Sequence, residues 1–174
     1  MPAADQGSAQ SPGRYQLVPR VLCFVLDADR VLLLRGAPDK KIWPGRYNGL
    51  GGHVERGESI QAAAEREILE ESGLRVSLLR LRGVITIDTG AAAGIGLYVF
   101  TAQTAGGALT PSAEGSLEWV PRAAVAQMPI VPDVAVLLER LAGRPESAPP
   151  FSAHYHYDQQ DELVVIFDTA DQNG

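Results

Sequence analysis

Glu67, Glu70 and Glu71 stand at spacing i, i+3 and i+4 within SIQAAAEREILEES, residues 59–72, a stretch of good helix formers. On a helix this places three carboxylates on one face, where they repel one another unless a cation sits among them. Arg66 pairs with Glu70 at i+4 but cannot neutralise all three. A hard divalent cation can: Mg²⁺, with Mn²⁺ as an alternative, takes oxygen ligands, keeps several waters and is commonly shared between a few carboxylates and substrate phosphates. A solvated helix face is the plainer alternative. Two neighbours count against it. Ile60, Ala64 and Ile68 form an apolar stripe that fixes one side of the helix against a core, and the glycine-rich GLGGHVERGE lies immediately upstream. Glycines there let a main-chain carbonyl approach a metal closely.

The elements that must position this face can be read from apolar runs and breakers. Residues 1–14, MPAADQGSAQSPGR, have little to bury and read as a disordered tail, and 169–174 read as a C-terminal tail. Val21–Leu26 and Val31–Leu34 flank Asp27-Ala28-Asp29-Arg30 as a hairpin. Residues 36–48 form a loop leading into Gly49–Gly52. Ser59 and Gly73 bound the helix. Val76–Ile87, Ile95–Ala102 and Leu117–Val120 read as strands, and Asp133–Leu141 as a second helix after Pro132. Phe151–Tyr157 and Leu163–Phe167 form a final hairpin. The 174 residues suit one domain, taken as 15–168, since domains run to roughly 100–200 residues.

The chain carries 15 Lys and Arg against 21 Asp and Glu, a net charge of −6. That balance argues against holding a nucleic acid polymer through its phosphates. The single cysteine, Cys23, lies in an apolar run and excludes a disulfide scaffold. No segment approaches the roughly 18 apolar residues that span a bilayer, and the first residues lack the pattern of a secretory signal. A soluble, cytoplasmic protein is the expectation, with its oligomeric state open.

Gly52-His53-Val54-Glu55-Arg56-Gly57-Glu58, seven further residues, and Arg66-Glu67-Ile68-Leu69-Glu70-Glu71-Ser72-Gly73-Leu74 match G-x5-E-x7-R-E-U-x-E-E-x-G-U at every specified position, U being aliphatic. By this motif the chain resembles the Nudix hydrolases. The resemblance implies an α/β fold, an α/β/α sandwich around a mixed β-sheet, and hydrolysis of a nucleoside diphosphate linked to a further group. It implies that Glu67, Glu70 and Glu71 bind metal together with the Gly51 carbonyl, that Arg66 orients a box glutamate, and that Glu58 braces the loop. Glu114 matches a downstream glutamate that ligates metal or acts as base, so Glu67 and Glu114 both stand as candidate general bases. Divalent ions would screen the pyrophosphate and let an acidic protein bind an anion.

Over about residues 17–167 the chain is similar to the MutT-like, oxidised-purine nucleoside triphosphatases. Asn48 matches an asparagine that contacts the base, and Asp133 the first of two neighbouring aspartates that read a purine edge. Val134 replaces the second aspartate and Val131 a stacking tryptophan. Trp43 or Tyr47 then becomes the candidate stack, or a loop anchor. Asp133 is equally an N-cap candidate, and His53 could touch phosphate or merely line the cleft. His154 and His156 share a strand face, where a surface or packing role is expected. The implied reaction turns a modified or excess (d)NTP, such as 8-oxo-dGTP, into (d)NMP and pyrophosphate. The alternatives are another nucleoside diphosphate derivative, ADP-ribose or a dinucleotide polyphosphate, or a module that binds nucleotide without turnover.

Overall fold

The computed structural model describes residues 14–39, 42–104, 106–110 and 114–168. The tails expected at 1–14 and 169–174 lie outside this range except for Arg14. One mixed sheet organises the chain. β1 (Gln16–Asp27) and β2 (Arg30–Gly36) form the expected hairpin, turning through Ala28 in a left-handed conformation, with Asp27 and Arg30 ion-paired across the turn. β3 (Tyr47–Asn48) follows the loop, then α1 (Ile60–Ser72), β4 (Val76–Ile87), β5 (Ala93–Thr104), β6 (Gly115–Pro121), α2 (Val134–Ala142), β7 (Phe151–Tyr157) and β8 (Leu163–Phe167). The order across the sheet is β3-β2-β1-β5-β4-β7-β8, with β6 on β2. Parallel pairing joins β1 to β5 and β4 to β7, and the other pairs are antiparallel.

Strand alternation splits the core in two. Val21, Cys23 and Val25 face Ala63, Ala64 and Ile68 of α1, whereas Leu22 and Phe24 pack in the second cluster with Val134, Leu137 and Leu138 of α2. A helix on each face of a mixed sheet is the α/β/α sandwich. α1 starts and stops where its sequence says: the Ser59 hydroxyl accepts from the Ala62 amide at 3.1 Å, and Gly73, at φ +73°, donates its amide to the Leu69 carbonyl.

The site depends on a splay in the first hairpin. β1 and β2 pair only from Val25↔Leu32 to the turn. Beyond that, residues 47–53 pair with β2 at Leu34↔Asn48 and bridge β1 at Cys23↔Leu50 and Arg20↔His53. The glycine loop is thereby pinned into the sheet directly ahead of α1. Gly51 shows why glycine is needed there: at φ +151°, any Cβ would overlap the Val21 backbone carbonyl.

Candidate active site

One cavity of about 830 Å³ opens beside this loop, within the roughly 300–1,000 Å³ usual for small-molecule sites. Gly51, Gly52, His53, Glu67, Glu71 and Glu114 line one part of it, and Asn48, Trp43, Val131, Asp133 and Tyr155 contribute to the rest. The expected site residues come from distant parts of the chain. α1 supplies Glu67 and Glu71, and the turn before β6 supplies Glu114. A bond from the Val131 amide to the Tyr47 carbonyl brings the segment before α2 against β3, and with it Asp133 toward Asn48.

Arg66 organises the acidic end. Its guanidinium donates to Glu58 Oε1 at 2.8 Å and Oε2 at 3.1 Å, to Glu67 Oε1 at 2.9 Å, to Glu70 Oε2 at 3.1 Å and to the His53 carbonyl at 2.9 Å. Glu58 also accepts from the Glu55 amide, and these contacts hold its carboxyl below the usual glutamate range, with Arg66 the main cause. Glu58 and Arg66 together tie loop and helix. Glu71, 5% exposed, accepts the Gly51 amide at 2.8 Å. Gly52 sits so close to Glu67 that a Cβ would overlap its carboxylate.

Among the described residues no three carboxylate, imidazole or thiolate groups form a ready cage for a metal. Arg66 lies between Glu67 and Glu70, and Glu71 is held on Gly51. The donor set nevertheless fits a hard divalent cation. Glu67, Glu71 and Glu114 share the cavity with Gly51, and all offer oxygen. Burial pushes the Glu67 carboxyl up, Arg66 opposes this, and Glu70 and Glu114 add to the rise. The Cys23 thiol, buried beneath, is pushed up by burial and then by Glu71 and Glu67.

Two expected residues lie elsewhere. Tyr47 is buried in the core and its hydroxyl donates to Glu118 at 2.7 Å, so it anchors the loop and does not line the cavity. Glu70 is 60% exposed and turned to Arg66, off the cavity wall. Trp43 does line the cavity, at φ +55° and with Arg46 5.5 Å from its ring. Asn48 Oδ1 accepts the Gly49 amide at 2.8 Å. His154 and His156 stack on each other 5.7 Å apart, outside the cavity. Sequence reasoning missed Arg20 and Tyr155 on the cavity wall. Their signal was strand alternation alone, which says which face a residue takes but not that a cavity lies there.

Asp133 occupies the N-cap position of α2, yet its side chain makes no capping hydrogen bond and its backbone is already helical. The carboxyl lines the cavity instead, and burial raises its pKa. An acid whose pKa is higher folded than unfolded favours folding when protonated and costs stability once ionised. Wild-type stability should therefore fall, from this group, as pH rises through the ordinary carboxylate range. Asp133→Asn should match the wild type in acid and equal or exceed it at neutral pH. Thermal melts across pH check this, and a variant less stable at neutral pH would show that the ionised carboxylate stabilises the N-terminus of α2 through its charge.

The comparisons agree with this geometry. The family model of the NUDIX domain matches residues 16–141. The oxidized purine nucleoside triphosphate hydrolase of Mus musculus is 32% identical over 144 residues, covering 82% of this chain and 88% of that protein. The NAD-capped RNA hydrolase NudC of Mycobacterium tuberculosis is 46% identical over 67 residues, 37% of this chain and 20% of that protein. The crystal structure of the MutT protein of Bacillus halodurans superposes with a TM-score of 0.73 at 28% identity, covering 87% of this chain and 98% of that one. With the complete motif seated on a glycine loop, helix and mixed sheet, the chain belongs to the Nudix family and is a Nudix hydrolase.

Proposed function

We propose that the protein is a Mg²⁺-dependent pyrophosphohydrolase that converts a (d)NTP with a modified purine, such as 8-oxo-dGTP, to (d)NMP and pyrophosphate. The observation that carries the reading is the single cavity joining the carboxylates of α1 to Asn48 and Asp133. It offers anion chemistry at one end and base-edge hydrogen bonding at the other. The named activity of the mouse relative, similar over most of both chains, supports it. The cytoplasm, where nucleotide pools are held, is the setting that suits it.

Glu67, Glu71, Glu114 and the Gly51 carbonyl, which share the cavity, would hold the divalent ion, which when bound supplies charge neutralisation for the phosphates and Lewis acidity toward water. The chain's own residues do the rest. Arg66 clamps Glu67 through Oε1, and the carboxylate takes the proton of the attacking water. Water oxygen bonds to phosphorus, a P–O bond of the anhydride breaks, and pyrophosphate leaves. Glu114 is the second candidate for the proton. Arg20, on the cavity wall, draws the polyphosphate in. Asn48 and Asp133 contact the base, and Trp43 offers an aromatic face.

A hydrolysis panel of ordinary and oxidised (d)NTPs, ADP-ribose and dinucleotide polyphosphates, with both products identified, tests this. The expected result is the highest kcat/KM on purine triphosphates, with pyrophosphate as product. Preference for ADP-ribose or a dinucleotide polyphosphate would overturn the substrate and leave the hydrolase. Binding without turnover of any compound would overturn the enzyme.

A further inference from the structure

Tyr155 ends the inward-facing row Phe151, Ala153, Tyr155 of β7 and is 1% exposed. Its ring lies in the core behind α2, and the residue also lines the cavity. That hydroxyl is buried and finds no hydrogen-bond partner among the described residues. A buried phenol usually has a partner, because leaving one unsatisfied costs stability. Phenylalanine would fill the same space without that cost, so the hydroxyl calls for a use.

Asp133 is the neighbour that gives it one. Both residues line the cavity, and the phenol's pKa is raised by burial and then by the Asp133 charge. The two residues share this cavity, and the hydroxyl does not bond to the carboxylate. Meanwhile Val134, beside Asp133 in sequence, is fully buried in the core and offers no polar atom to a ligand. Asp133 supplies an acceptor at this end, and a donor beside it is needed to read a second atom of the base. A tyrosine hydroxyl can donate, and an ionised carboxylate can only accept.

We propose that the Tyr155 hydroxyl is a specificity-determining group that donates to a carbonyl oxygen of the bound base while Asp133 accepts from the adjacent ring N–H. The ligand class is a keto purine, whose lactam edge sets one carbonyl beside one N–H. This rests on the reading above that the cavity takes a purine nucleoside triphosphate. Adenine carries an amino group where guanine has its carbonyl, so the hydroxyl meets no equivalent acceptor there.

The test compares the wild type and Tyr155→Phe on 8-oxo-dGTP, dGTP and dATP with saturating Mg²⁺, and measures calorimetric binding of dGMP in EDTA and thermal melting. The expected result is a KM raised about tenfold for the keto purines with kcat nearly unchanged, as for the loss of one hydrogen bond made equally in ground and transition states. Binding of dGMP should weaken in parallel, dATP kinetics should change little, and Tm should hold or rise because a buried unpaired hydroxyl is gone. Unchanged KM and dGMP affinity would overturn the proposal, and a fall in Tm alongside them would show the hydroxyl to be structural. A wild type that turns over none of the three triphosphates would overturn the proposed function and this inference with it, an outcome separate from a working enzyme indifferent to Tyr155.

Discussion

Glu67→Gln will lower kcat by about 10²–10⁴-fold, the range for loss of a positioned general base. The protein will remain folded. Gln has nearly the same shape, and Arg66 keeps its contacts with Glu58, Glu70 and the His53 carbonyl. What disappears is an anionic oxygen lying against Gly52 on the cavity wall. That removes a proton acceptor and a hard ligand together. Steady-state kinetics at saturating Mg²⁺, with circular dichroism to establish the fold, measure the effect. A variant within tenfold of wild type would move the proton to Glu114.

Gly51→Ala will cost about 3 kcal/mol or more of stability and most of the activity, because a strained backbone and a steric overlap act together. At φ +151° the added methyl would run into the Val21 carbonyl of β1. To escape, the loop must leave the sheet. That would break the 2.8 Å hydrogen bond that the Gly51 amide donates to Glu71 and disturb the neighbouring 2.9 Å hydrogen bond from the Val21 amide to the Gly52 carbonyl. Gly57→Ala is the control, since Gly57 also has positive φ, +91°, but open space around it. Melting temperatures and kcat of the two variants separate overlap from strain. A Gly51→Ala protein that melts and turns over like wild type would disprove the account of this loop.

Much of the fold follows from local signals. The Ser59 cap, the Gly73 stop and the Ile60-Ala64-Ile68 stripe define α1 to within a residue. The strand runs at 21–26, 31–34, 76–87 and 151–157 lie within or coincide with observed strands because buried strands carry continuous or alternating apolar residues. The two-residue β3 and the 3₁₀ turn Arg122–Gln127 left no such trace, being too short to set a period. The partners of β3, Leu34 and Arg35, are remote in sequence and alone define it.

By itself the sequence determined the element that carries the acidic residues. Carboxylates at i, i+3 and i+4 share a helix face, and a cap and a glycine fix where that helix starts and stops, all through interactions within one turn or two. The tertiary structure decided the rest. Which carboxylates meet the cavity depends on Arg66, which turns Glu70 outward and leaves Glu67 on the wall. Tyr47 and Trp43 were interchangeable as aromatic candidates until β3 buried one and the loop left the other on the cavity. Asp133 is an N-cap by position and a cavity group by contact, and Tyr155 reaches the cavity only because β7 lies parallel to β4. Side-chain partners more than about twelve residues apart are set by how the sheet twists and where its strands splay, and neither periodicity nor spacing along the chain carries that information.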